Sequence, residues 1–151
     1  MYNITREQQL NCDISTAWTF FSSPKNLALI TPPEMRFGMV DDQKNKEIFA
    51  GLTIKYTLRP LCGLLVKWTT LITQVDHQKS FTDAQDKGPF RYWNHHHQFL
   101  INEQGVLMKD NVDYDLPFGA IGSLVHAAVV RKKLEELFNY RQHIISQLFQ
   151  D

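Results

Sequence analysis

The sequence lacks net charge, long apolar runs and an apolar leader. Its 16 basic and 16 acidic residues cancel, so no charge excess favours a nucleic acid or an anionic membrane as partner. The apolar run around 61–66 is far too short to span a bilayer. The first residues lack the apolar core of a signal peptide. We therefore expect no nucleic-acid partner and no integral membrane segment.

Cysteine is also scarce. Cys12 and Cys62 form neither a CxxC pair nor a metal-ligand spacing. Two isolated thiols in a chain of this size are typical of a reducing compartment.

The glycines over 119–122 do not form a phosphate loop, because the lysine of that motif is missing. We predict a cytoplasmic protein without cofactor or metal.

Periodicity predicts the secondary structure. The 151 residues suffice for one domain, expected over 1–151, with a substantial core. Alternation with a period of two predicts strands, and apolar residues at steps of three and four predict a C-terminal amphipathic helix. The predicted order begins with a strand over 2–11 and short helices over 16–21 (capped by Ser15) and 24–29. Strands follow over 36–40, 48–58, 64–75, 80–85, 93–99 and 106–114, with a charged turn over 41–46, and a helix from Ala127 to Leu148 ends the order.

This order indicates the fold class. Consecutive strands with short turns form an antiparallel meander, and only the last helix is long enough to cover one face of it. We predict an α+β fold in which a curved antiparallel sheet of about six or seven strands wraps around the C-terminal helix. Two short helices follow the first strand. A cavity between sheet and helix is the expected place of function.

Polar residues interrupt the apolar faces of two predicted strands. His95 and His97 share a face with Trp93 and Phe99, and the next strand carries Asp110 in the same way. Burying these groups costs free energy unless they are hydrogen-bonded or partly wet, which indicates a lined pocket. The predicted ligand-binding residues are Tyr56, Trp68, Trp93, His95, His97, Phe99, Met108, Asp110, Val112, Tyr114, Leu124 and Ala127.

The chemistry of His95, His97, Asp110 and Tyr114 stays open at this stage. They are a hydrogen-bonded cluster that braces the sheet, a group that recognises a ligand, or the catalytic residues of an acid–base enzyme. A carboxylate beside an imidazole fixes its tautomer and raises its basicity, as a general base requires. A His-x-His pair on a strand also suits a metal, with Asp110 as third ligand, although no metal site is predicted.

Several motifs carry a resemblance to a known family. They are Leu27 to Pro33, Trp68-x-x-x-Ile72, Phe81-x-Asp83-x-Gln85-x-x-Gly88-Pro89-Phe90, Trp93-x-His95-x-His97-x-Phe99, Asp110-x-Val112-x-Tyr114-x-x-Pro117-x-Gly119 and Phe138-x-Tyr140-Arg141. With the order of elements, they resemble the helix-grip superfamily of START-type lipid-transfer domains, the birch-pollen allergen and polyketide cyclases. The chain is most similar to bacterial SRPBCC proteins that occur alone or joined to a nucleotide-sugar-epimerase-like domain.

The resemblance implies a helix-grip fold and a cavity for a small, largely hydrophobic ligand such as a lipid, isoprenoid or polyketide-like ring. The leading hypothesis is a noncatalytic carrier or sensor. The alternatives are an enzyme of the cyclase, dehydratase or hydrolase type that uses the histidines, Asp110 and Tyr114, and a protein-interaction domain that uses the loop Leu61 to Leu65. No epimerase activity is implied, because the sequence has no dinucleotide-binding fingerprint.

Overall fold

The computed structural model describes residues 1–40 and 46–150. The predicted charged turn over 41–46 lies, except for its last residue, outside them. The elements of the described part are β1 (Tyr2–Leu10), α1 (Ile14–Phe21), two 3₁₀ turns (Pro24–Ala28 and Pro33–Met35), β2 (Gly38–Met39), β3 (Thr53–Leu58), β4 (Val66–Asp76), β5 (Ser80–Lys87), β6 (Tyr92–Asn102), β7 (Gly105–Asp115), α2 (Gly119–Val125), a π turn (His126–Val130) and α3 (Arg131–Leu148).

The strands form one antiparallel sheet in the order β1-β7-β6-β5-β4-β3-β2. Strands β2 to β7 follow one another as a meander, and β1 pairs with the last strand along its whole length. The pairing of β4 with β5 shifts register near Thr70 and near Thr73, and such irregularities bend a sheet. The helix α3 covers the concave face through Leu134, Phe138 and Ile145, which are buried. The predicted α+β architecture is thus confirmed.

Three local predictions were wrong. Asp13, rather than Ser15, caps α1, because its carboxylate accepts a hydrogen bond from the backbone N–H of Thr16 at 2.7 Å. The predicted second helix is a 3₁₀ turn. The strand predicted from Ile48 begins at Thr53, because the Ile48 N–H bonds to the carbonyl of Ser22 instead of to a neighbouring strand.

No helix in the described part of the chain combines the length and apolar character needed to cross a membrane.

The hairpin between β6 and β7 sets the register on which the candidate site depends. It pairs Asn102 with Gly105 and, further along, His97 with Asp110. Gly105 has a φ of +123°, and an added Cβ would meet the backbone carbonyl oxygens of Leu10 and Cys12, the latter at 2.7 Å. The turn therefore needs glycine both for its backbone angle and for the close approach of the chain after β1.

We expect Gly105→Ala to destabilise the protein by at least about 1 kcal/mol more than Gly51→Ala, because it adds a steric clash to the backbone strain. Gly51 is the matched control, since its φ is +97° and an added Cβ has no atom within 4 Å. Chemical denaturation of both variants measures the difference. Equal losses of unfolding free energy in the two variants would contradict the close approach of Gly105 to the backbone of Leu10 and Cys12.

Candidate functional site

A cavity of about 430 Å³ lies between the sheet and α3. Its walls are mainly apolar and come from the sheet, from α3 and from the segment between α1 and β2. Trp68, Trp93 and Phe138 lie on its inner surface, and Pro60, Leu61 and Leu64 form part of its rim. Because Leu61 and Leu64 are also 37% and 67% exposed, this rim adjoins solvent.

Four polar side chains from three neighbouring strands form what we call the His–Asp cluster: Asp83 on β5, His95 and His97 on β6, and Asp110 on β7. Asp83 lies directly across from His95, and His97 directly across from Asp110. Because alternate residues of a strand share a face, the four side chains meet on the face that α3 covers. Asp83, His95 and His97 line the cavity, and Asp110 lies behind the histidines.

Short contacts connect the cluster. Asp110 Oδ1 lies 2.9 Å from His95 Nε2 and 2.8 Å from His97 Nδ1. Asp83 Oδ2 lies 2.8 Å from His97 Nε2 and 3.7 Å from His95 Nδ1. Both ring nitrogens of His97 thus face a carboxylate at hydrogen-bonding distance, whereas His95 has only one such contact.

Burial and the short contacts together determine which side chains of the cluster are charged. Burial lowers the pKa of His97, but the contacts with Asp110 and Asp83 outweigh it and raise that pKa to about 9. His97 is therefore an imidazolium at neutral pH. Burial and the neighbouring His97 lower the pKa of His95, although Asp110 opposes this shift, so His95 stays neutral and donates through Nε2. Burial opposes the ionisation of Asp110, yet its histidine partners hold the pKa of that carboxyl well below its usual range.

The helix α3 supplies the remaining charge. The Arg141 side chain lines the cavity, and its guanidinium carbon lies 5.3 Å from the centre of the Phe138 ring. Burial lowers the pKa of Arg141, while the carboxylates of Asp110 and Asp83 counteract this. With His97 and Arg141 positive and the two aspartates negative, this polar end of the cavity is neutral overall.

Aromatic rings hold the histidines in place. Phe81 stacks on His97 with ring centres 4.1 Å apart, and Phe138 of α3 presents its edge to His95 at 5.8 Å. Tyr56 completes the polar end through its hydroxyl, which lies 3.3 Å from Thr70 Oγ1. The ring packing restricts rotation of the imidazoles, so the nitrogen positions are set by the protein.

The structure brings some of the predicted ligand-binding residues to the cavity. Those that line it are Tyr56, Trp68, Trp93, His95 and His97. Phe99 and Met108 lie instead in the core beside α1, and Val112 lies in the core beneath α3. They face the same side as the histidines, but neighbouring side chains cover them completely.

Tyr114 does not join the histidines as predicted. Its hydroxyl lies 2.7 Å from His126 Nε2, and the ring of Tyr2 stacks on His126 at 3.5 Å between centres. Tyr114 and His126 are both buried. This pair fastens the start of the C-terminal helical segment to β7 and β1, away from the His–Asp cluster.

Leu124 and Ala127 also lie outside the cavity wall. Leu124 is 73% exposed, and Ala127 is exposed as well. His126 rather than Ala127 points inward, and Val130 is the first residue of the π turn over His126–Val130 to line the cavity.

The sequence did not predict Asp83 and Arg141 as residues of the polar end of the cavity. Asp83 shares a strand face with Phe81, and this alternation places it beside β6 once the strand order is known. Arg141 lies on the apolar stripe of the last helix, where a charged residue is a signal of an internal partner. The signal for Asp83 identifies a site residue only once the register between β5 and β6 is known. The signal for Arg141 does so only once the position of α3 is known.

Comparisons with known proteins confirm the fold. No protein-family model matches the chain, and no curated protein matches it in sequence. Among solved structures, a Thermus thermophilus protein matches with a TM-score of 0.72 at 14% identity, covering 99% of this chain and 100% of its own. A major latex-like protein from Panax ginseng matches with 0.69 at 12%, covering 99% and 98%. A START superfamily protein from Mycobacterium smegmatis matches with 0.66 at 12%, covering 97% and 98%. The chain thus has the START-like helix-grip fold that its motifs resemble.

We expect Asp110→Ala to destabilise the protein by about 3–5 kcal/mol, because it leaves the buried His97 imidazolium without one of its partners. Asp113→Ala is the matched control, since Asp113 lies on the same strand but accepts only an exposed hydrogen bond from Asn3. We expect it to cost less than about 1 kcal/mol. Chemical denaturation at neutral pH compares the two, and similar losses would contradict the charge assignment.

The free energy of unfolding should also fall as the pH is lowered, because of His126. Burial, the nearby Arg131 and the chain's amino terminus lower the pKa of His126 below its usual 6.5. The unfolded chain therefore binds a proton more readily, so this contribution is fully present above pH 6.5 and is lost as the pH falls through the folded-state pKa.

The measurement is unfolding free energy against pH for wild type and His126→Gln. The variant should lose less stability on acidification. The remaining slope comes from His95 and, at lower pH, from the carboxyls of Asp110 and Asp83, whose pKa values are also lowered in the folded state. His143→Gln, at an exposed position of α3, should follow the wild-type curve. A His126→Gln curve parallel to wild type would show that His126 does not titrate as described.

Proposed function

We propose that this protein binds a small, largely hydrophobic ligand, such as a lipid, an isoprenoid or a polyketide-like ring, as a carrier or sensor. The observation that carries the proposal is the apolar cavity with one polar end. Its volume of about 430 Å³ falls within the range of about 300–1,000 Å³ that is usual for small-molecule sites. The ligand's apolar body would lie against Trp68, Trp93 and Leu137.

The polar end suggests that the ligand carries an oxygen acceptor at one end. Within residues 1–40 and 46–150, the Arg141 guanidinium makes one hydrogen bond to protein, from Nε to the carbonyl oxygen of Ile30 at 3.5 Å. Guanidinium has five N–H donors, so the others are available to a carboxylate, carbonyl or hydroxyl of the ligand. A purely apolar ligand would leave these donors without partners.

We propose a cytoplasmic location. Supporting this, Cys12 and Cys62 are both free thiols, as is usual in a reducing compartment. The interaction-domain hypothesis has less support, because Leu61 and Leu64 of the loop it requires line the cavity.

An enzyme acting in the same cavity is the second candidate. His95 favours it, since a neutral imidazole that donates through Nε2 to Asp110 presents an unprotonated Nδ1 suited to general base catalysis. The two functions differ in the fate of the ligand. A carrier releases its ligand with unchanged mass, whereas an enzyme converts it over repeated turnovers.

Native mass spectrometry of protein purified from its own cytoplasm tests the binding function. We expect a bound small molecule that organic solvent releases, and an upward thermal shift with hydrophobic compounds that carry an oxygen acceptor. The absence of an adduct, together with no thermal shift across such compounds, would contradict the proposal.

Filling the cavity provides the variant test. Leu137→Trp adds bulk to the cavity wall, so we expect at least about tenfold weaker binding of whichever compound gives a thermal shift, equivalent to about 1.4 kcal/mol. Leu100→Trp is the control, because Leu100 lies on β6 at 39% exposure and outside the cavity wall. Equal affinities in the two variants would place the ligand elsewhere.

A further inference from the structure

The geometry points to a divalent transition-metal site formed by Asp83, His95 and His97 at the polar end of the cavity. One nitrogen from each ring and one oxygen of Asp83 lie within 4.8 Å of one another. The site differs from the His-x-His arrangement with Asp110 considered from the sequence, because the third ligand comes from β5 rather than from β7. This inference does not rest on the identity, or the existence, of an organic ligand.

The distances suit coordination. Metal–nitrogen and metal–oxygen bonds of about 2.0–2.2 Å place neighbouring ligand atoms about 3.0–3.5 Å apart in octahedral or tetrahedral geometry. Asp83 Oδ2 lies 2.8 Å from His97 Nε2 and 3.7 Å from His95 Nδ1, values that bracket this range. An ion at the common centre would replace the hydrogen bond between Asp83 and His97, and the proton that His97 carries on Nε2 would be released to solvent on binding. The three ligand atoms, now within 4.8 Å of one another, would move closer together around the ion.

Asp110 prepares both histidines for this role. Its Oδ1 contacts His95 Nε2 and His97 Nδ1, the two nitrogens that are turned away from Asp83. A carboxylate in this position holds the proton on the outer nitrogen of a metal-binding imidazole and raises the basicity of the inner one. One aspartate thus orients two ligands, and the rings of Phe81 and Phe138 keep them in place.

The position in the fold favours an ion with open coordination sites. All three ligands line the cavity, so the protein supplies one side of the coordination sphere and the cavity leaves the other side free. Two imidazoles and one carboxylate with open positions suit zinc, cobalt(II) or ferrous iron more than calcium or magnesium, which prefer oxygen ligands. An oxygen of a small molecule in the cavity would have access to the ion.

Titration of chelator-treated, tag-free protein with cobalt(II) and with zinc tests the site. We expect one ion per chain, visible ligand-field bands for cobalt, and displacement of cobalt by zinc. Asp83→Asn and His95→Gln should each weaken binding at least about a hundredfold, and Asp110→Asn about 10–100-fold, the usual effect of losing a carboxylate behind a histidine ligand.

His96→Gln is the matched control. His96 lies between the two ligands on β6 but points to the opposite face, where its Nδ1 lies 2.8 Å from Thr82 Oγ1. We expect its metal affinity to equal that of wild type. Loss of binding in His96→Gln, with retention in His95→Gln, would overturn the proposal.

A measurement on wild type alone covers the case in which a variant does not fold. Zinc should shift the ring-nitrogen NMR signals of His95 Nδ1 and His97 Nε2 and leave those of His96 in place. Unchanged signals for both histidines, or no metal binding by the wild-type chain, would show that the cluster is only a hydrogen-bonded ion network. Metal binding with neither an organic adduct nor a thermal shift would support this site while contradicting the proposed ligand-binding function.

Discussion

The contact of one carboxylate with two histidines holds the interior of this protein together. Asp110 is buried beneath an apolar cavity, where an isolated charge would cost several kcal/mol. It is tolerated because His97 supplies a positive charge and His95 supplies a second hydrogen bond. The partner of His97 on the other side is Asp83, so the charge balance extends across three strands. Any change in the pairing of β5, β6 and β7 would separate these groups.

This dependence explains why the sheet register matters more here than the composition of the core. A shift by one residue in β6 would turn His95 and His97 outward and place Asn94 and His96 beneath α3. The hairpin at Gly105 and the pairing of Phe81 with His97 both work against that shift. The rings of Phe81 and Phe138 pack against the histidines of the cluster and hold them in the positions that this register gives them.

The sequence predicted the architecture well and the site only in part. Alternation along β6 and β7 was enough to place His95, His97 and Asp110 together, because a period of two is a strong signal and a short hairpin joins these strands. It was not enough to include Asp83, since the predicted meander places β5 beside β6 but does not give the register that puts Asp83 across from His95. Ala127 was misplaced for a different reason. His126 and Ala127 lie four and three residues before Val130, and both steps fit a helical stripe, so periodicity could not show that His126 takes the buried position and Ala127 the exposed one.

The strand order has a consequence for how the chain acquires its shape. Tyr2 pairs with Tyr114, so during synthesis β1 has no partner until β7 has been made. Strands β3 to β7 join through short connections and can assemble as successive hairpins, whereas closing the long loop between β1 and β7 costs more conformational entropy. The helix α3 follows β7 along the chain, so the cavity acquires its cover only after β7 and α3 have both been synthesised. Until then the concave apolar face is open, and during this interval the nascent chain is at its greatest risk of aggregation.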